Sequence, residues 1–252
     1  MNYVMSDLHG CYDEFLQMLE LIDFSEDDNL IVIGDVVDRG PASVKLLQYL
    51  MKRSDILLLM GNHDWFMRDT IKRLPIDIHF DNIKDYLDEN IVITNDNVNQ
   101  YLTEHSYRNW TYNGGESAFN EYLNLSVSER AELIKFLDSL LYYYELTVEN
   151  QKYMLVHSVP VGFEKEKPME DYKPFDLLFS RIEKDAWNGN FYDDKIMIVG
   201  HTPTLLINNE YAGKIYKKEK IINIDCGCAY KNKNDNGKLG CLRLEDMKEY
   251  YI

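Results

Sequence analysis

Three short apolar runs, Tyr3–Met5, Leu30–Ile33 and Ile56–Met60, alternate with helix-like segments at Tyr12–Ile22 and Ala42–Lys52. Runs this short and this rich in Val, Ile and Leu read as buried strands, so the chain opens as a βαβαβ unit. Each run passes at once into a polar cluster: Ser6-Asp7-Leu8-His9-Gly10, then Gly34-Asp35-Val36-Val37-Asp38-Arg39-Gly40, then Gly61-Asn62-His63-Asp64. Ligand and catalytic groups gather at the carboxyl ends of strands in open α/β sheets, and these three clusters fall there.

From about Trp65 to Leu141 the pattern turns helical, with polar loops and many aromatic residues, which predicts a mostly helical insertion or cap. Ser126-Val127-Ser128-Glu129 has capping-box spacing, and Leu133, Phe136, Leu137, Leu140 and Leu141 follow at the spacing of an amphipathic helix. Strands return at Tyr144–Val148, Tyr153–Val156, Ile196–Val199, Ile221–Ile224 and Leu239–Leu244, in the shorter, more alternating pattern of an antiparallel or mixed sheet. Two further polar clusters close strands here, at His157 and at Gly200-His201-Thr202, and Lys231–Lys238 reads as a solvated turn between late strands.

Composition narrows the class. The 252 residues are 45% hydrophobic and 28% charged, ordinary for a folded protein. With 43 acidic residues against 27 Lys plus Arg the formal charge is -16, and that field opposes a nucleic-acid polymer as partner. No basic-then-apolar leader opens the chain and no apolar stretch reaches membrane-spanning length, which predicts a cytoplasmic protein without a membrane partner. Cys11, Cys226, Cys228 and Cys241 are too few and too scattered for a disulfide framework and read as free thiols. The one-residue spacer of Cys226-Gly227-Cys228 matches neither a redox pair nor half of a zinc site.

Asp7, His9, Asp35, Asn62, His157 and His201 are all oxygen or imidazole donors at strand ends. Mixed imidazole, carboxylate and amide ligation suits Mn, Fe, Zn or a similar divalent ion, whereas calcium and magnesium sites seldom recruit several histidines. Six donors exceed the needs of one ion, so a carboxylate shared between two ions is the economical arrangement. Four of the six histidines, His9, His63, His157 and His201, follow a strand directly; His79 and His105 lack that context and read as surface or structural residues.

The ordered set Asp7-Leu8-His9-Gly10, Gly34-Asp35-Val36-Val37-Asp38-Arg39-Gly40, Gly61-Asn62-His63-Asp64, His157 and Gly200-His201-Thr202 resembles the calcineurin-like metallophosphoesterases. Its Asp-Arg-Gly ending resembles the phosphoprotein phosphatase branch, with its bacterial members and the related symmetrical dinucleoside-tetraphosphate hydrolases. The resemblance spans residues 7 to about 240 and implies a four-layer α-β-β-α sandwich of two mixed sheets, one domain over residues 1–252 with its helical insertion at about 65–141. It implies that Asp7 and His9 hold one metal, that Asp35 bridges, and that Asn62, His157 and His201 hold the second, with Mn or Fe expected and Zn compatible. It further implies in-line attack by a metal-bridging hydroxide, His63 as general acid oriented by Asp38, and phosphate held by Arg39. Arg181, the one arginine between His157 and His201, resembles the family's second phosphate arginine. Trp110-Thr111-Tyr112-Asn113-Gly114-Gly115 resembles the family's tryptophan and Asn-Gly-Gly segment, for which a structural role is expected.

Ser6, Asp64 and Ser158-Val159 depart from the commonest forms of these motifs without removing a donor, and argue for a small bacterial-type member over a eukaryotic phosphatase. The expected function is therefore a phosphomonoesterase of the serine/threonine protein phosphatase type, acting on a phosphorylated protein or a small phosphate ester. A symmetrical dinucleoside tetraphosphatase or other pyrophosphohydrolase, acting on a dinucleotide, shares the same centre. A nuclease lacks its basic patch, and a non-catalytic phosphate-recognition module would be expected to have lost donors that are all present here.

Overall fold

The computed structural model describes residues 1–79, 106–181, 191–231 and 236–252. Two five-stranded mixed sheets form it. In the first, β1 (Asn2–Met5), β2 (Asn29–Val32) and β3 (Ile56–Leu58) run parallel, and β9 (Gly240–Arg243) and β10 (Glu249–Tyr251) extend it antiparallel, in the order β10-β9-β1-β2-β3. In the second, β5 (Gln151–Val156), β6 (Lys195–Val199) and β8 (Ile221–Asn223) run parallel, flanked antiparallel by β4 (Tyr143–Val148) and β7 (Tyr216–Lys218), in the order β4-β5-β6-β8-β7.

The period-2 alternation of side chains sorts each strand between two cores. Val4, Ile31 and Ile33 face Tyr153, Leu155, Ile198 and Ile222 in the layer between the sheets. Their neighbours Tyr3, Met5, Leu30 and Val32 face outward into a second core, covered by α1 (Tyr12–Leu21), α2 (Ser43–Leu50), α3 (Asn62–Arg73) and the helices of residues 106–138. On the far side, Met154, Val156, Met197 and Val199 pack under Met169, Tyr172, Leu177 and Ile207. Helices, sheet, sheet and helices therefore stack as the expected four-layer α/β sandwich. Both parallel triplets direct their carboxyl ends to one rim, so Asp7, Asp35, Asn62, His157 and His201 arrive together from five different strands.

The described part of the predicted insertion is mostly helical: the rest of α3, then Ser106–Trp110 (α4), a π-helical turn at Thr111–Gly115, Glu116–Leu123 (α5) and Val127–Asp138 (α6), joined by short loops. The α3 helix starts at Asn62, inside the third motif and earlier than the sequence pattern places the helical region. Ser126 caps α6 as its spacing predicts: its backbone N–H donates to Glu129 Oε2 at 2.8 Å, while Glu129 N–H donates back to Ser126 Oγ at 3.3 Å. Leu133 and Leu137 are buried, while Leu141, beyond the helix, is exposed. All four cysteines are buried free thiols. Among the described residues no helix is long and apolar enough to cross a membrane. Of the turn predicted at 231–238, residues 232–235 lie outside the described residues, as does His105.

Candidate active site

The polar clusters take a backbone that most residues avoid. Asp7, His9, Asp35, Asp38, Arg39 and His201 all have φ between 43° and 76°, six of the eleven non-glycine residues with positive φ among those described. That left-handed conformation costs on the order of 1–3 kcal/mol per residue and persists where surrounding structure enforces it, typically where side chains must be aimed at one point.

The enforcing contacts are specific. Asp64, the third residue of α3, accepts backbone N–H bonds from Asp35 (2.8 Å), Val36 (3.0 Å), Val37 (3.3 Å) and Gly61 (3.0 Å), so one buried carboxylate ties the second motif to the third. Burial and the nearby Asp35 charge push the Asp64 carboxyl up to about 7. The loops approach so closely that a Cβ on Gly61 would lie 2.1 Å from the Asp35 nitrogen, which restricts that position to glycine.

These loops bring the donors to within contact of one another. His9 Nε2 lies 4.0 Å from Asp7 Oδ1 and 3.7 Å from Asp35 Oδ2. His157 Nε2 lies 3.4 Å from Asp35 Oδ1 and 3.0 Å from Asn62 Oδ1, and His201 Nδ1 lies 2.8 Å from that same amide oxygen. His9, Asp35 and His63 form one group that could hold an ion, and Asp35, His157 and His201 form another. Asp35 belongs to both. The Nδ1–H of His9 donates to the Val37 carbonyl and that of His157 to the Ile33 carbonyl, each at 2.9 Å, which turns both Nε2 atoms inward. His201 Nε2 is buried without a hydrogen-bond partner. Inward-facing imidazole nitrogens around a shared carboxylate are a donor set that fits divalent metal ions.

The charges in this cluster are strongly interdependent. Burial, then the Asp225 charge, raises the Asp7 carboxyl well above the usual range. Burial also opposes ionisation of Asp35, yet the imidazoles of His157 and His63 outweigh it and hold this carboxyl well below that range. Burial disfavours charge on His157 as well, but Asp35 and Asp7 overcome it and raise the imidazole to about 10. His9 and His201 are lowered, first by burial and then by Arg39 and His157 respectively.

Beside the shared carboxylate, His63 Nδ1 donates to Asp38 Oδ2 at 2.6 Å, with both side chains buried. Arg39 spans two rings, donating from Nη1 to His9 Nε2 at 2.7 Å and from Nη2 to His63 Nε2 at 2.8 Å. Arg181 is exposed, and its charge adds a smaller contribution to the lowering of His201 after burial and His157. The structure thus gathers Asp7, His9, Asp35, Asp38, Arg39, Asn62, His63, His157 and His201 into one constellation, with Arg181 at its margin. His79 is exposed and outside it.

Five residues gain a position that the motif reading does not give them. Trp110 is fully buried, and its indole N–H donates to Asp38 Oδ1 at 2.7 Å. The Gly114 carbonyl accepts the Arg39 N–H at 3.1 Å, and a Cβ on Gly115 would sit 2.2 Å from Trp110 Nε1, so the Asn-Gly-Gly segment does more than end a loop. Asp64 ties the motif loops together as described above. Asp225, buried at the carboxyl end of β8, is pushed up to about 6 by burial and accepts the Gly227 N–H at 2.9 Å. Its signal in sequence is the same strand-end placement that marks His157 and His201.

The family model for calcineurin-like phosphoesterases matches residues 3–226. Among curated relatives, a symmetrical bis(5'-nucleosyl)-tetraphosphatase of Coxiella burnetii is 44% identical over 67 residues, covering 26% of this chain and 23% of that protein. Its counterpart in Salmonella arizonae is 44% identical over 65 residues, covering 25% of this chain and 23% of the relative. Both matches therefore take in about a quarter of the relative's length. Among solved structures, a putative diadenosine tetraphosphatase superposes with a TM-score of 0.63 at 16% identity, covering 100% of this chain and 92% of the other. A protein serine/threonine phosphatase from Saccharomyces cerevisiae superposes with a TM-score of 0.58 at 13% identity, covering 100% and 78%. At these identities the structures share the fold alone. With the family match running across nearly the whole chain and through every strand-end cluster that builds the site, this protein belongs to the calcineurin-like phosphoesterases.

Proposed function

We propose that the chain is a metal-dependent phosphomonoesterase of the serine/threonine phosphatase type. The observation that carries this reading is the buried His63–Asp38 pair, 2.6 Å between Nδ1 and Oδ2, standing beside a carboxylate shared by two donor groups. A phosphomonoester of serine or threonine leaves as an alkoxide, a poor leaving group that needs a proton in the transition state. A pyrophosphate bond needs that proton far less.

Asp7, His9, Asp35, Asn62, His157 and His201 would hold two divalent ions, with Mn or Fe favoured and Zn compatible with the same donors. Bound there, the ions supply Lewis-acid polarisation of phosphate and a lowered pKa for water. His63 delivers a proton from Nε2 to the leaving oxygen, while Asp38 fixes the ring and stabilises its charged form. Arg39, which donates to His9 and His63, presents a planar fork to two phosphate oxygens, and Arg181 adds a second positive charge from the exposed side. Burial of His63, Asp38 and the donor residues strengthens the interactions among them, while Arg39 and Arg181 reach in from the exposed rim. The buried free thiols fit a reducing compartment such as the cytoplasm.

A second reading, symmetrical cleavage of dinucleoside tetraphosphates, is supported by the local 44% identity to enzymes of that name. A panel of phosphoserine peptide, phosphotyrosine peptide, diadenosine tetraphosphate and an aryl phosphate, assayed with Mn, decides between them. Preferential turnover of the phosphoserine peptide is expected; turnover confined to diadenosine tetraphosphate would replace the first reading with the second.

A further inference from the structure

Next to the rim that carries the donors lies a cavity of about 250 Å³ that the chemistry above does not use. Pro203, Leu205 and Leu206, from the loop after β6, form one side; Cys226, Gly227 and Tyr230, from the loop after β8, form the other. Both loops leave the carboxyl ends of parallel strands, the same edge that delivers His201 and Asp225. The Thr204 N–H donates to the Asp225 carbonyl at 2.9 Å, which locks the two loops together.

Tyr230 joins this cavity to the centre. Its ring lines the cavity and lies 5.8 Å from the guanidinium carbon of Arg39, whose Nη1 is 2.7 Å from His9. A phosphate gripped by Arg39 therefore has its organic part within reach of a mostly apolar hollow with an aromatic wall. The volume lies below the roughly 300–1,000 Å³ of pockets that enclose a whole drug-sized ligand. It suits one ring system, and a tyrosine face favours a planar one. Leu206 is 59% exposed at the mouth, an apolar side chain left open where a ring would cover it.

We propose that this cavity is a substrate subsite for a planar, apolar ring carried by the phosphorylated molecule close to its phosphate, with Leu206 and Tyr230 as the residues that select for it. The proposal rests on the phosphoesterase reading of the neighbouring centre and adds to it a discrimination among esters. An aryl group attached near the phosphate and a nucleobase one ribose away share this chemistry.

The test compares benzyl phosphate with ethyl phosphate, both of which release an alkoxide, so that only the ring differs. In the Mn-loaded protein kcat/KM for benzyl phosphate should exceed that for ethyl phosphate ~10-fold or more, the scale expected for burying one aromatic ring. Leu206→Asp should bring the two values together by lowering the benzyl value alone, and Leu206→Trp, which fills the hollow, should do the same. AMP against ribose 5-phosphate supplies the nucleobase arm: a gain there alone places the ring a ribose away, and a gain with benzyl alone places it next to the phosphate. Equal values in both pairs, or a Leu206→Asp variant that slows benzyl and ethyl phosphate alike, would overturn the proposal. Calorimetric binding of benzylphosphonate and ethylphosphonate gives the same comparison without turnover. If no ester is hydrolysed the phosphoesterase reading fails, while equal affinities for the two phosphonates would by themselves overturn the ring site.

Discussion

The indole N–H of Trp110 reaches 72 residues back along the chain to donate to Asp38 Oδ1 at 2.7 Å, while the other oxygen of that carboxylate accepts from His63. Asp38 is thereby held from both sides in a fully buried position, where burial raises its pKa and the bonds from His63 and Trp110 draw it back down. Trp110→Phe keeps an apolar ring in the core but leaves Asp38 Oδ1 unsatisfied, which costs ~1–3 kcal/mol of stability. Turnover of alkyl phosphates should fall ~10-fold at unchanged metal content, because the acid is misaligned and the donors are not. Gly115→Ala should reproduce this effect, since the added carbon would press on Trp110 Nε1. Denaturant unfolding, elemental analysis and kinetics on the same samples check all three statements.

Arg39 and Arg181 should differ in severity. Arg39→Lys replaces a two-pronged donor by a point charge and should lower kcat/KM ~10–100-fold. Arg181→Ala, at the exposed margin, should act mainly through KM. A sulfate-bound crystal structure should place both side chains on the anion, and one with Arg181 turned to bulk solvent would remove it from the phosphate site.

Binding of divalent metal should expel protons. In the metal-free protein the His157 imidazole is raised to about 10 against its neighbours Asp35 and Asp7, so at neutral pH it carries a proton that a ligand nitrogen cannot keep. Calorimetry in buffers of different ionisation enthalpy should show at least one proton released per chain on loading with Mn at neutral pH, as expected for a protonated histidine ligand. Elemental analysis at excess metal should give two ions per chain; one ion at saturation would contradict a bridging role for Asp35.

Asp64 makes metal-free stability depend on pH in a direction opposite to that of a salt-bridged carboxylate. Its folded pKa is raised from 3.8 to about 7, so across that window the folded chain holds a proton that the unfolded chain releases, and stability falls as pH rises. Asp64→Asn removes this contribution. The variant loses part of the four-way backbone clamp at every pH, but its stability relative to wild type should improve by about 1–4 kcal/mol between pH 4 and pH 7. Parallel stability curves for the two proteins would show that Asp64 does not titrate in that window.

The elements legible in the sequence are those held by local forces. The strands that carry Asp7 and Asp35 are continuous apolar runs and those before His157 and His201 are shorter ones, and the polar ends of all four stand out against them. The β7 and β10 strands escape that reading because Tyr216-Lys217-Lys218 and Glu249-Tyr250-Tyr251 are short, partly polar edge strands, defined by pairing with β8 and β9. The bond from Trp110 to Asp38, and the clamp from Asp64 to three successive N–H groups of the second motif, depend on which loops meet at the rim. Nothing in the spacing of those residues encodes that meeting. Asp225 is a lone acid at a strand end beside Cys226, with no neighbouring histidine in the sequence to mark it.

The division of labour between His63 and its neighbours is tested most directly by the rates of His63→Asn on two esters. Alkyl phosphates leave as basic alkoxides and nitrophenyl phosphate leaves as a stable anion, so loss of the acid should slow the first ~100-fold or more and the second far less, at nearly intact metal content. Asp38→Asn should act on the same step, leaving the double variant little worse than either single one. Equal slowing of both esters by His63→Asn, accompanied by metal loss, would contradict the account and make His63 a ligand in the group it forms with His9 and Asp35.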